Sequence, residues 1–374
     1  MTKPSLLQLP PGVQLVYLAE GGANVIYRFV PSTSHLAVKK DDSKQLLSSS
    51  HDGGGVTVTT LTTIPPIFRG KLLRLRKQTA SNINYKEIAA NFNTKIRPLF
   101  HADELVDQTL IRLPDDLIPH CNQLLRAEER NGGSRPAKRH GSYLALNEPF
   151  GLLITDMTVF NDADPGARLA EFKPKWLLQS PSAPIGAERC RTCALREMKN
   201  REARGLGVKE SRSFCPLDLV SERFDDVLRA TAFVRGYDAG NDRDRDRVRL
   251  AEILFRNSTL RNLQSRQKTF REVGLLGPVE GSREDSLDMT LRDCTMFIKI
   301  PGNESEPVEI RLGDLDLKTG AGGKAQYWRD LERQLIDGGW YCTSSSDSSQ
   351  KQSECALRSS RDEFNGNGNG VYST

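Results

Sequence analysis

Apolar and polar positions alternate through 13–30, VQLVYLAEGGANVIYRFV, in two β-rich runs split by a turn at Glu20–Asn24. KLLRLRK, 71–77, predicts a third strand with Leu73 and Leu75 on one face and Arg74 and Arg76 on the other. Within 84–97, Tyr85, Ile88, Phe92 and Ile96 recur at helical spacing. The Ser/Asp/Gly-rich stretch 31–66, with SSSHDGGG, holds too few apolar residues to pack and reads as an insertion or mobile loop. Further on, 127–141 is loop-like and basic, and 151–160 and 169–176 are strand candidates joined by a polar turn. Helices are expected at about 217–235 and 250–264, separated by NDRDRDR, whose alternating signs suit a solvated linker. Strands at 294–300 and 308–317 follow, then a helix over 324–337 with Trp328, Leu331 and Leu335 on one face. From Thr343 the Ser/Asn/Gly composition predicts a disordered tail, 343–374. This order predicts an α+β fold in two lobes: a small antiparallel-sheet lobe over 1–155 and a larger mixed lobe over 156–342.

Composition narrows the class. With 37% hydrophobic and 27% charged residues among 374, the chain is globular rather than wholly disordered. No stretch approaches the ~18 uninterrupted apolar residues of a spanning helix, so no membrane partner is expected. No secretory signal is readable in MTKPSLLQLPPG, and seven scattered cysteines argue for a reducing compartment rather than a disulfide framework. The net charge of +5 is too small to name nucleic acid as partner, so what matters is where the cations converge.

Several segments hold candidate chemistry. The turn EGGANVIY carries Gly21, Gly22, Ala23 and Asn24, and its backbone could approach a phosphate closely; taken alone it reads as an ordinary glycine turn. Arg74 lies in mid-strand where a nucleotide-covering hairpin needs a cation, whereas a solvated strand face accounts for Arg76 and Lys77. In EFKPKW, Lys173 and Lys175 lie two apart in extended backbone and project to one side; a polyanion site and a lysine-guarded strand edge both fit. Arg196 and Lys199 share a face if CRTCALREMK is helical. Cys190 and Cys193 have the spacing of half a zinc site, but Cys215 is distant, His140 remote and a second CxxC lacking, so two buried or free thiols are expected instead. Asp293 opens one late strand, while Asp314 and Asp316 close the next ahead of Lys318 and a glycine turn. Together they form a constellation for Mg²⁺ and general-base work.

In order along 13–341, EGGANVIY, LLRLRK, EFKPKW, CRTC, FCPLDL, RDCT and DLDLK resemble the inositol-pentakisphosphate 2-kinase family, as a fungal-type member. The resemblance implies a two-lobed, protein-kinase-like fold and ATP-dependent phosphorylation of the 2-hydroxyl of inositol pentakisphosphate, giving the hexakisphosphate (phytate), with Mg²⁺. It implies that Gly21, Gly22, Ala23 and Asn24 form the nucleotide loop, with Arg74 on the ATP phosphates. Glu171 falls near the ribose and Asp156 near the hinge. Lys173, Lys175, Arg191, Lys199, Lys318, Lys324 and Tyr327 surround the inositol phosphates, and Arg135 or Arg139 clamps substrate from the smaller lobe. Asp293 is then the catalytic aspartate, and Asp314 and Asp316 hold Mg²⁺. The plant members' zinc ligands have no match here. The cysteines predict a cytoplasmic or nuclear protein and the resemblance implies the nucleus; the chain is expected to act as a monomer.

Two other readings compete. D-x-K-x-G at Asp316, Lys318 and Gly320 is shared with the other inositol-polyphosphate kinase family, but Leu312 stands where that family has proline. A polyanion- or RNA-binding scaffold would use the same cations, and the sparse aromatics in the basic segments disfavour it.

Overall fold

The computed structural model describes residues 6–9, 13–37, 57–62, 64–79, 83–133, 135–159, 164, 166–234, 243–277, 285–320, 322–342 and 355–358. They form two compact units, Met1–Ala90 with Asp107–Asp156, and Asn91–Val106 with Met157–Thr374. The architecture is α+β.

In the first unit, β1 (Leu7–Gln8), β2 (Gln14–Glu20), β3 (Asn24–Val30), β6 (Lys71–Arg76), β7 (Gln108–Arg112) and β8 (Phe150–Thr155) form one sheet. Its order is β1-β7-β8-β6-β3-β2, antiparallel except for the β1–β7 pair. β4 (Ser32–Ala37) and β5 (Thr57–Thr62) pair as a separate ladder, so the ends of the expected loop 31–66 are strands. The middle of that stretch, 38–56, lies outside the described residues. One sheet face buries Val25, Tyr27, Leu73, Leu75 and Ile111 against Ile118, Cys121 and Leu125 of α2 (Leu117–Arg130). The other packs Phe150 and Leu152 on Tyr85, Ile88 and Ala89 of α1 (Tyr85–Asn91). Thus α2 occupies the start of the segment expected as a loop from 127, because Ile118, Cys121 and Leu125 recur at helical spacing and bury together.

The second unit holds a three-stranded antiparallel sheet, β11-β10-β9, of β9 (Arg168–Phe172), β10 (Thr295–Ile300) and β11 (Glu309–Gly313). The two candidates at 151–160 and 169–176 therefore enter different sheets, β8 in one and β9 in the other. Met296, Ile298 and Ile300 of the central strand are buried against α4 (Phe224–Thr231), α5 (Arg243–Leu254) and α6 (Ser258–Thr269). α5 begins inside NDRDRDR, contrary to the expected linker, since Leu250, Ala251 and Leu254 further along bury its C-terminal half. α3 (Arg191–Gly205), α7 (Asp285–Leu291) and α8 (Lys324–Asp337) complete the described helices. NGNGNG lies outside the described residues, but Cys355 in the expected tail is fully buried.

Candidate functional site

The antiparallel order of the small sheet builds the central cluster. β10 starts where β9 and β11 end, with Met296 opposite Phe172 and Thr295 opposite Gly313. Lys173, Asp293 and Asp314 thereby emerge at one end of the sheet. Lys175 Nζ donates to Asp293 Oδ1 at 2.7 Å, and Lys318 Nζ bonds the other carboxylate oxygen. Lys173 Nζ donates to the Asp293 backbone carbonyl at 2.6 Å and stands 3.5 Å from Asp314 Oδ2. Burial pushes the Asp293 carboxyl up, but the Lys175 and Lys318 hydrogen bonds outweigh it and hold the group at about 2. Asp293 is therefore ionised at neutral pH.

The supporting backbone is tightly held. Gln267, fully buried on α6, accepts from Leu177 N and donates to the carbonyls of Lys175 and Leu291. That fixes Lys175 at φ 62°, a left-handed conformation that a lysine adopts at a cost of order 1–3 kcal/mol. Thr290 accepts from Lys318 N through its hydroxyl and from Asp293 N through its carbonyl. Asp314, at φ 56°, accepts from Thr295 Oγ1 at 3.0 Å and leaves 61% of its side chain exposed. Its second oxygen is a hard donor of the kind Mg²⁺ takes beside phosphate oxygens, and Asp316 follows two residues on; the donor set fits that ion. A cavity of about 360 Å³ adjoins the lysines, lined by Glu171, Lys173, Lys175, Ser211, Arg212 and Ser213 among others.

Lys199 is exposed on α3, and Lys324 and Tyr327 are exposed one turn apart at the start of α8. Arg191, expected at the inositol phosphates, is buried, its Nε 2.7 Å from fully buried Glu332, with its guanidinium 4.3 Å from the Trp176 ring centroid. A buried guanidinium requires a counter-charge, and this pair ties α3 to α8. Arg196 turns inward to the carbonyls of Ser213 and Phe214, leaving Lys199 alone on the face they were expected to share.

In the first unit, Gly21 and Gly22 are exposed and no atom lies within 4 Å of a Cβ built on Gly21. Gly21 N donates to Asn24 O, closing the turn through Ala23. With the Asn24 amide oxygen toward Arg74, it accepts from Nη2 at 2.8 Å, and Arg74 lies 5.8 Å from the Tyr85 ring centroid. Asp156 closes β8, its N–H donating to Gly70 O. Lys77 is not solvated as expected; it is 0% exposed, donates to Gly21 O at 3.0 Å and pairs with buried Glu20. Arg76 is buried as well. Arg135, expected as a substrate clamp, is consumed by Glu20, Glu129 and the Ser142 carbonyl. Arg139 is the partly exposed arginine beside the turn, with Nη1 3.8 Å from a Cβ built on Gly22. Lys77 was legible: it falls in register with Leu73 and Leu75, so its face is the buried one. Arg212, just before FCPLDL, was visible only as one more cation, and Gln267 carried no signal at all.

A carboxylate gripped by lysines beside an open aspartate, at the end of a sheet and next to a cationic cavity, defines a protein that handles phosphate esters. The sequence profile described as inositol-pentakisphosphate 2-kinase matches residues 17–277 and 256–334. An inositol-pentakisphosphate 2-kinase of Yarrowia lipolytica is 35% identical over 216 residues, 53% of this chain and 67% of that protein. Another, of Debaryomyces hansenii, is 24% identical over 393 residues, 87% of this chain and 91% of that protein. The chain belongs to the inositol-pentakisphosphate 2-kinase family.

Proposed function

We propose that this chain transfers the γ-phosphoryl group of ATP to the 2-hydroxyl of inositol 1,3,4,5,6-pentakisphosphate, giving the hexakisphosphate and ADP. The carrying observation is Asp293 at the head of β10, held by Lys175 and Lys318, in a chain of this family. Asp293 accepts a hydrogen bond from the 2-hydroxyl and orients its oxygen toward the γ-phosphorus. The new P–O bond forms as the bond to the β-phosphate bridging oxygen breaks. A carboxyl held at about 2 is a weak base, so its work is positioning, with late proton transfer, as a loose transition state allows. Lys173, Lys175 and Lys318 each have three N–H donors and can grip substrate phosphates while still bonding Asp293. Lys199, Arg212, Lys324 and Tyr327 bind further phosphates, and Arg139 supplies the contact expected of Arg135 or Arg139. The Gly21–Asn24 turn and Arg74 bind the nucleotide phosphates, and Glu171 and Asp156 contact the rest of the nucleotide. Bound by Asp314 and Asp316, Mg²⁺ would offset phosphate charge. The chain acts as a monomer in the nucleus or cytoplasm, which light scattering and imaging of a tagged chain check.

The test is incubation with ATP, Mg²⁺ and inositol pentakisphosphate, with products resolved by anion exchange. Hexakisphosphate is expected; its absence, or its undiminished formation by Asp293→Ala, contradicts the reading.

A further inference from the structure

Beneath the Gly21–Asn24 turn, the first unit buries an ion network that the proposed reaction leaves unused. The side chain of Lys77, just past β6, is fully buried, and so are those of Glu20 and Arg135. Lys77 Nζ pairs with Glu20, which also accepts from Arg135 Nε at 2.7 Å and from the Tyr17 hydroxyl at 3.1 Å. Arg135 pairs in turn with Glu129 of α2, which accepts from the Tyr143 hydroxyl at 2.7 Å. Two cations thus face two carboxylates. Burial pushes the Glu20 carboxyl up, but hydrogen bonds from Arg135 and Lys77 outweigh it and hold the group below its usual range.

What sets Lys77 apart is its hold on the turn. Its Nζ donates to the Gly21 carbonyl at 3.0 Å, and its backbone N–H donates to the Ala23 carbonyl at 2.8 Å. The lysine is itself fixed from the other side: it bridges Leu144, and Gln78 N donates to Tyr143 O at 2.9 Å. In a trans peptide the N–H lies opposite the C=O, so drawing the Gly21 carbonyl toward Lys77 directs the Gly22 N–H away from it. That side is open, since both glycines are exposed and a Cβ built on Gly22 would meet only Arg139 Nη1, at 3.8 Å. A backbone N–H held in this way is a donor for a phosphate oxygen. The ammonium, with no exposed surface, cannot touch a nucleotide itself.

We propose that Lys77 is a positioning residue of the nucleotide turn: it holds the Gly21 carbonyl inward and so aims the Gly22 N–H at the ATP phosphates, with Glu20 as its counter-charge. Resting on the assignment of Gly21–Asn24 to those phosphates, this gives Lys77 a part in ATP binding without contact to ATP. Arg74 acts on the phosphates by its own charge, and Lys77 acts through the backbone.

The test measures binding of a non-hydrolysable ATP analogue with Mg²⁺ to the full chain by calorimetry, and stability by urea unfolding. Lys77→Met frees the Gly21 carbonyl and strips Glu20 of a counter-charge, so it should weaken analogue binding about tenfold and destabilise the fold. Adding Glu20→Gln restores the charge balance but not the bond to Gly21. The double variant should regain stability while its analogue binding stays about tenfold weaker than that of the unaltered chain. If Lys77→Met does not fold, the double variant decides. Analogue binding that recovers together with stability, undiminished binding by Lys77→Met, or a double variant as unstable as the single one would make Lys77 purely structural and overturn the proposal. An unaltered chain that binds no analogue would remove the nucleotide turn itself, and with it both the proposed reaction and the role of Lys77.

Discussion

In the proposed mechanism Asp293 is the residue on which the chemistry turns, and its surroundings set how it titrates. Asp293→Asn keeps the shape and removes the charge, so turnover is expected to fall about 10²–10⁴-fold with ATP affinity retained, as initial rates and nucleotide titration would measure. The folded carboxyl, at about 2, lies below the usual ~3.9 of an unfolded aspartate, so its stabilisation is present above ~3.9 and lost as pH falls toward 2. The stability gap between the natural chain and Asp293→Asn should hold near neutrality and shrink below about pH 4 in urea unfolding; a constant gap would contradict the ion-pair account. Lys173→Ala should weaken pentakisphosphate binding more than ATP binding, and calorimetry showing equal losses would remove it from the substrate site. The two arginines of SRPAKR separate cleanly. Arg135→Ala leaves Glu20 buried with one counter-charge fewer and is expected to cost about 3–5 kcal/mol of stability. Arg139→Ala should leave stability unchanged and raise the KM for substrate. Denaturation curves and kinetics on both variants distinguish a fastener from a contact.

At the scale of elements, β2, β3, β6, β10, β11 and α8 were legible because residues of different kinds recur on their two faces, which leaves a period in the sequence. The last helix matches its expected span, Lys324–Asp337. Sheet membership was not legible, since β8 and β9 are both apolar runs and nothing local says which partner each takes. NDRDRDR misled because charge alternation describes a solvated surface whether or not a helix lies beneath it. α6 supplies Gln267, whose amide fixes the EFKPKW backbone from beneath as a positioning residue. Gln267→Leu leaves those backbone groups unpaired at about 1–3 kcal/mol each. It should also raise the KM for inositol pentakisphosphate while leaving that for ATP unchanged; an unchanged substrate KM in a destabilised variant would make Gln267 purely structural.

For the molecule as a whole, a net charge of +5 hides strong local contrast. NDRDRDR largely cancels itself, whereas Lys173, Lys175 and Lys318 converge on Asp293. A compact polyanion suits such a cluster better than a long strand. Pentakisphosphate should therefore bind at salt concentrations that abolish RNA binding, and single-stranded RNA at equal phosphate should not compete; competition in fluorescence polarisation would favour a scaffold. The sequence by itself determined the family and set the aspartates and lysines of the candidate site in order along the chain, because residue types and their order carry that information. Only the tertiary structure decided which cations are available, since availability depends on counter-charges distant in sequence. Glu20 and Glu129 claim Arg135, and Glu332 claims Arg191. By the same physics it brought Cys215 and Cys355 to the CxxC pair, a proximity that no local pattern encodes.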